Sequence, residues 1–495
     1  MKTNVAGSPP TSIVWFRLDL RLADNPALTA AVAAGGAVVP VYIWAPDEEA
    51  PWQPGGASRW WLHRSLASLT RSLEALGSRL IVLRGPTLPT LQKLARDTGA
   101  QNIFWNRRYE PALLARDKHI KDTLRAAGLT AESSNSALLH EPWTIATKSR
   151  GPYQVFTPYW KACLAGPNPA LPLSVPKEIK APASWPQGVL LSDLMLEPTI
   201  PWDTGLRLAW EPGEAAGLKM ISRCFQSIFE NYSEGRNRPD QAGTSRLSPY
   251  LHFGEISPRQ IWHVLRATAE KRAWPITEWR SSQFLAEIGW REFAHHLLYH
   301  FPKTPEHPLR TEWEGFSWPK LDRVALQAWT QGRTGYPIVD AGLRELWSTG
   351  WMHNRVRMIV ASFLTKDLLI PWQEGARWFW NTLVDADLAS NTLGWQWTSG
   401  CGADAAPYFR VFNPISQGQK FDPKGDYVRR WVPELARLSA EEIHAPWEAT
   451  PLSLASAGVT LGKTYPHPIV DHNQARQRAL NLYDAFREAK RPVSE

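Results

Sequence analysis

Val38-Val-Pro-Val-Tyr-Ile-Trp44 decides the fold once it is read with the residues that follow it. Its β-branched and aromatic side chains suit a strand, and Pro40 sits near the strand start. Leu62, Leu66, Leu69, Leu73 and Leu76 then recur at intervals of four and three, which is one stripe of an α-helix, and Gly77 ends it. Arg79-Leu-Ile-Val-Leu83 is the next short apolar strand. Strand, helix, strand is a parallel crossover unit, and such units are right-handed. The alternation continues in both directions. Ser12-Ile-Val-Trp-Phe16 precedes it, and a helix near Thr90–Asp97, a strand Asn102-Ile-Phe-Trp105, a helix near Ala112–Ala127 and a strand near Leu129–Ser133 follow. The expectation is a doubly wound, Rossmann-like parallel α/β domain over residues 11–145, with ligands beyond the carboxyl ends of its strands. No GxGxxG follows the first strand and no Walker A sequence occurs, which excludes a standard dinucleotide domain and a P-loop.

Residues 146–215 are rich in Pro, Gly, Ala and Ser with weak periodicity, and read as a linker wrapped over the surface. From 216 to 490 the pattern is helical, so the fold class is α/β plus all-α. The chain has 495 residues, 43% apolar and 21% charged, which is globular composition. No apolar run approaches the roughly 20 residues of a membrane-spanning helix. The first dozen residues, Met1 to Ser12, lack a signal-peptide core and read as a leader on a cytoplasmic protein. Cys163, Cys224 and Cys401 have no CxxC spacing, so no metal or iron–sulfur centre is expected. The net charge of +8 suits a polyanion, nucleic acid first. Twenty-seven tryptophans suit core packing, stacking on bases, or electron hopping between indoles, and composition does not choose among these.

Chemistry concentrates in four segments of the helical half. Tyr232-Ser-Glu-Gly-Arg236 with Gly243-Thr-Ser-Arg-Leu-Ser-Pro249 offers hydroxyls and backbone N–H groups before a helix, either an anion site or a plain cap. Glu287-Ile-Gly-Trp-Arg-Glu-Phe293 places Glu287 and Arg291 four residues apart on one helical face. Trp351-Met-His-Asn-Arg-Val-Arg-Met358 puts Asn354 and Met358 on a shared face. Asp385-Ala-Asp-Leu-Ala-Ser-Asn-Thr-Leu-Gly-Trp-Gln-Trp397 packs carboxylates among indoles. A buried carboxylate there needs a partner, and Arg357 is the candidate.

These segments, with Trp15-Phe-Arg-Leu-Asp-Leu-Arg-Leu-Ala-Asp-Asn-Pro26, Thr334-Gly-Tyr-Pro-Ile-Val-Asp340, Asn413-Pro414 and His444-Ala-Pro-Trp447, resemble the photolyase/cryptochrome family from end to end. Ser58-Arg-Trp-Trp61 and Asn135-Ser-Ala-Leu-Leu-His-Glu-Pro-Trp143 are in the style of plant cryptochromes, while the cavity residues look like a cyclobutane pyrimidine dimer (CPD) photolyase. That mixture is similar to the class III photolyases.

The resemblance implies FAD in the helical domain. Tyr232, Thr244, Ser245, Arg246, Leu247 and Ser248 would hold the diphosphate and its surroundings, with Arg291 along the same site. Arg357 would pair with Asp385 beside the isoalloxazine, Asp387 would contact the flavin or its ribityl chain, and Asn391 would face flavin N5. An amide at N5 suits a photolyase, since plant cryptochromes place an aspartate there. Trp290 and Trp397 would flank a flipped-out dimer, Glu287 would hydrogen-bond a thymine, and Asn354 and Met358 would complete the wall. Two histidines stand at those last two positions in (6-4) photolyases, so cyclobutane dimers are the expected lesion. Arg236 and Arg410 would contact DNA phosphates around the mouth, with Lys420 and Arg429 as weaker candidates. The implied mechanism is light-driven electron transfer from FADH⁻ to the dimer and back, with no metal.

Trp395 and Trp372 match the inner members of the family's tryptophan chain, and Trp318 or Trp329 would be the third. A methenyltetrahydrofolate (MTHF) antenna is implied in the α/β domain, with Tyr109-Glu110 and the strand-end loops as its expected site. The expected partner is UV-damaged DNA, acted on by a monomer away from membranes. A cryptochrome-type blue-light receptor is the alternative. Only some 25 residues follow the His467–Val470 segment, which reads as little room for a signalling tail.

Overall fold

A computed structural model of the protein describes residues 9–405 and 407–490. Residues 1–8 of the expected leader lie outside the described residues, and Ser12 already opens a strand. Strands β1 (Ser12–Phe16), β2 (Val38–Trp44), β3 (Ile81–Arg84), β4 (Asn102–Asn106) and β5 (Thr130–Ser134) form one parallel sheet in the order β3-β2-β1-β4-β5. Ser12 pairs with Val38 on one side and Asn102 on the other, so the winding reverses beside β1.

Alternation sorts the sheet's side chains. Ile13, Trp15, Val39, Val41 and Ile103 face one core with α3 (Thr87–Thr98) and α4 (Pro111–Ala126). Val14, Phe16, Tyr42 and Phe104 face the other, with α1 (Pro26–Ala33) and α2 (Gly56–Glu74). Leu62, Leu66, Leu69 and Leu73 of α2 are buried as their spacing requires, while Leu76 lies beyond the helix end and is half-buried. The second core does not stop at the domain: it runs on through Tyr250, Phe253 and Trp262 of the helical half.

The segment read as linker is more structured than its composition suggests. It carries α5 (Phe156–Ala165), whose Tyr159, Trp160 and Cys163 are buried. It then straps the α/β domain by backbone bonds, Val38 N to Lys180 O (2.8 Å) and Val189 N to Val82 O (2.8 Å). The second of these covers the outer edge of β3, which would otherwise offer unpaired N–H and C=O groups.

Four helices build the site: α6 (Gln283–His300), α7 (Asn354–Ser362), α8 (Trp372–Thr382) and α9 (Leu388–Ser399). Helix α9 packs against the other three, and α6 also packs on α5. Two glycines permit this closeness. A Cβ on Gly289 would stand 2.6 Å from the Trp160 ring, and one on Gly375 would stand 2.0 Å from Cη2 of Trp395.

Candidate active site

Helices α6, α7 and α9, with α8 behind α9, the residues just before α7 and α9, and the Tyr232–His252 region enclose a cavity of about 520 Å³. That lies within the usual range for a small-molecule site. Every residue expected to bind FAD or substrate lines it except Asn391. The one departure follows from helical phase. Asp387, Ser390, Gly394 and Trp397 recur at three- and four-residue intervals along the cavity side of α9. Asn391 and Trp395, also four apart, turn toward α8, where Asn391 Nδ2 donates to Ala376 O (3.1 Å).

At the floor, Arg357 Nη2 donates to both oxygens of Asp385 (3.0 and 2.8 Å), and its Nε donates to Met352 O (2.8 Å). Ser248 Oγ donates to Asp385 Oδ2 (2.7 Å), which joins the Gly243–Pro249 segment to the carboxylate. Asp387 caps α9 by accepting from Ser390 N (2.8 Å). Its other oxygen is 3.4 Å from His295 Nε2 and 3.9 Å from His252 Nδ1. Burial alone would raise the Asp387 carboxyl. The contacts with His295 and His252, and the charge of Arg291, outweigh burial and hold it well below the ordinary carboxylate range.

Arg246 stands at φ +52°, its guanidinium 4.0 Å from the Trp210 ring centre and 5.0 Å from that of Trp351. Its buried Nε has no partner, and no carboxylate among the described residues is within ion-pair distance of it. A half-buried cation without an anion suits a ligand phosphate. With the hydroxyls of Thr244, Ser245 and Ser248 beside it, this wall fits the diphosphate end of FAD.

At the opposite end, Trp290 lies stacked on Phe156 with ring centres 3.9 Å apart and planes 9° from parallel. One indole face is therefore covered from α5, and the other is left for the cavity that Trp397 also lines. Glu287 Oε1 accepts from Gln283 Nε2 (2.7 Å) and pairs with Arg236 Nη2 (2.7 Å). Arg236, expected to contact a phosphate, is paired here with this carboxylate. Arg410 lies exposed outside the cavity, its carbonyl held by Lys366 Nζ (3.1 Å). Lys420 lies over Phe421, and Arg429 spends its donors on Ala436 O (3.1 Å), Leu438 O (2.8 Å) and Lys424 O. Arg429 therefore closes its own loop.

Sequence reasoning missed Gln283, His252, His295, Phe156 and Arg355. Arg355 lines the mouth, its Nη2 donating to Asn237 Oδ1 (2.6 Å). Gln283 shows a usable signal, since it lies four residues before Glu287 on one helix. Phe156, Tyr159, Trp160 and Cys163 show another, an apolar helical stripe inside the supposed linker.

Trp395 is buried, with Phe379 5.0 Å and Trp329 6.2 Å from its ring centre. Trp329 is fully buried and donates to Val360 O (3.1 Å). Trp372 is buried at the start of α8, and Trp318 is half-buried against Phe316 (4.8 Å). Neither is a ring neighbour of Trp395. Between the α/β and helical parts, a cavity of about 370 Å³ is lined by Trp52, Arg108 and Glu110 from the first and by Trp380 and Leu388 from the second. Tyr109 is not on its wall; its hydroxyl donates to Glu141 Oε2 (2.9 Å).

Comparison with known proteins agrees with this geometry. Residues 12–178 match the family described as DNA photolyase, and residues 284–485 match the FAD binding domain of DNA photolyase. The chain is 51% identical to a deoxyribodipyrimidine photo-lyase of Agrobacterium fabrum, covering 96% of this chain and 98% of that one. It is 43% identical to cryptochrome-1 of Arabidopsis thaliana, covering 95% of this chain and 70% of that one. A solved class III photolyase from Agrobacterium tumefaciens superimposes with a TM-score of 0.93 at 50% identity, covering 98% of this chain and 100% of that one. With a parallel α/β domain, a helical FAD-binding domain and end-to-end identity of this order, the chain belongs to the photolyase/cryptochrome family.

Proposed function

We propose that the protein is a light-driven DNA repair enzyme that splits cyclobutane pyrimidine dimers. The observation that carries this reading is the joining, in one cavity, of an anion-seeking wall at Arg246 to a half-covered indole and an oriented carboxylate at Trp290 and Glu287. Reduced FAD held in this cavity would, when excited by light, supply the electron that opens the cyclobutane ring and take it back once the ring has split. The chain's own residues bind, orient and exclude water. Thr244, Ser245, Leu247, Ser248 and Arg246 take the diphosphate, and Tyr232 and Arg291 flank it. The Arg357–Asp385 pair presents a fixed charge pattern to the isoalloxazine, and Asp387 faces the ribityl side. Trp290 and Trp397 stack on the flipped-out lesion, which costs less to unstack than an intact step. Glu287, with Oε1 held by Arg236 and Gln283, directs its remaining acceptor capacity at the thymine, and Asn354 and Met358 close the wall. Asn391 stays assigned to flavin N5, with Nδ2 on the Ala376 carbonyl and its amide oxygen as the acceptor.

Trp395 is the inner donor that reloads oxidised flavin. Trp372 holds the second place of the chain, with Trp318 or Trp329 as the third, and Trp329 also neighbours the inner ring at 6.2 Å. An MTHF antenna is the finer reading for the 370 Å³ cavity, whose Trp52 and Trp380 suit a flat heterocycle and whose Arg108 and Glu110 suit its polar edge. Action as a monomer on UV-damaged DNA is part of the same reading.

The test is repair itself. The flavin-reduced protein is mixed with UV-irradiated oligothymidine, and thymine absorbance is followed under blue light and in the dark. Light-dependent recovery is the expected outcome, and no recovery from a flavin-loaded, photoreducible protein sinks the reading. That failure would favour the blue-light receptor, which the 43% identity to a plant cryptochrome keeps as the second reading.

A further inference from the structure

We propose that His295 is a positioning residue, a buried imidazolium that ties α6 to the first turn of α9 and so sets the separation of the two walls of the cavity. The proposal rests on the reading of that cavity as the FAD site.

Helix α6 carries Glu287, Trp290 and Arg291, and α9 carries Trp397 and begins at Asp387. His295 lies one turn beyond Arg291 and is 7% exposed. Its Nδ1 is 3.0 Å from Arg291 O. A carbonyl oxygen only accepts, so Nδ1 carries a proton. Its Nε2 is 3.4 Å from Asp387 Oδ2, and a buried carboxylate at that distance favours a second proton on the ring. Asp387 Oδ1 in turn accepts from Ser390 N (2.8 Å). The connection therefore runs from α6 through the imidazolium and carboxylate into the backbone of α9.

The other charged groups facing this pair are engaged elsewhere or lie farther off. Arg291 Nη1 donates to Ala137 O (2.6 Å). Glu292 Oε2 accepts from Leu139 N (2.9 Å) and His140 N (3.1 Å). Glu110 is paired with Arg108 (2.6 Å), and Arg108 also with Glu49 (3.1 Å). Tyr109 stands edge-on to the imidazole at 6.3 Å with its hydroxyl on Glu141. His252 approaches the same Asp387 oxygen at 3.9 Å. His295 is thus the nearest side-chain cation to the carboxylate.

Burial disfavours the charged ring, but Asp387 outweighs burial and raises the His295 pKa above its ordinary 6.5. The sign follows from that direction. The tie is complete below pH 6.5 and is lost as pH rises through the raised folded value. Losing it leaves a buried carboxylate short of its counter-charge, which is costly.

The experiment measures FAD affinity of the full flavoprotein by fluorescence from pH 6 to 9, with circular dichroism confirming the fold. For the wild type, the dissociation constant is expected to rise by up to about tenfold per pH unit above the folded pKa. His295→Arg keeps a cation that does not titrate in this range, and is expected to bind FAD tightly with a flat profile. His295→Gln is expected to bind weakly and equally flatly. Should His295→Gln fail to fold, the wild-type and His295→Arg profiles decide. A flavin-loaded wild type with a flat profile overturns this proposal alone, as does a His295→Gln variant that keeps the wild-type slope, which would assign the slope to His252. A wild type that binds no FAD at any pH overturns the cofactor reading, and this proposal with it.

Discussion

Trp395 shows how much a single side chain is asked to do. It is buried 2% exposed on α9, its indole N–H has no partner, and its ring touches Phe379 and Trp329. An indole so placed contributes packing area and an oxidisable ring together. Trp395→Phe keeps most of the area and removes the readily oxidised ring. Photoreduction of bound FAD is expected to slow at least tenfold, while repair by pre-reduced enzyme stays near wild type. Steady-state bleaching of the 450 nm flavin band under blue light checks the first, and the oligothymidine assay checks the second. Unchanged photoreduction removes Trp395 from the electron path. Asn391 and Trp395 also show the limit of motif spacing: a run of thirteen residues names them both, but helical phase decides that neither lies on the cavity wall in this structure.

At the scale of elements, the site depends on how closely α8 and α9 approach. Gly375 makes that approach possible, because a methyl group there would stand 2.0 Å from the Trp395 ring. Alanine is the better helix former by about 1 kcal/mol, so in an open position Gly375→Ala would stabilise α8. Here overpacking dominates, and a net destabilisation of about 1–3 kcal/mol is expected. Thermal unfolding of the flavin-loaded protein measures it, and a raised midpoint would show that the two helices have room to spare. Between α5 and α6 the same logic holds at Gly289, which admits Trp160. Close helix contacts of this kind leave a trace in sequence only as an unexplained glycine.

The two domains behave as one packed body because their cores merge. Glu255, at the end of the Ser248–His252 turn, is fully buried and accepts from Trp61 Nε1 (3.2 Å) and Ser65 Oγ of α2. Burial pushes its carboxyl up to about 8 from an ordinary 4.5. For an acid raised in the folded state, stability is fully present below the unfolded value and is lost as pH rises through the folded one. Between pH 4.5 and 8 this residue therefore makes the interdomain contact progressively weaker. Glu255→Gln keeps an acceptor and cannot ionise. It is expected to melt near wild type at pH 5 and several degrees higher at pH 9, a gain on the order of a few kcal/mol. Melting curves at the two pH values decide it, and equal differences at both would show that ionisation of Glu255 plays no part.

The sequence by itself determined the parallel sheet and the helical half, through local periodicity, and about half of the residues that line the cavity, through a family resemblance carried by motifs a few residues long. The tertiary structure decided what those residues do to one another. Phe156 covering one face of Trp290, Arg236 turned onto Glu287, and His295 brought to Asp387 join residues 134, 51 and 92 positions apart. No hydrophobic period encodes such pairs. They arise when helices that each bury their own stripe are packed together, and the polar groups left between them must find partners in a medium where an unpaired charge is costly.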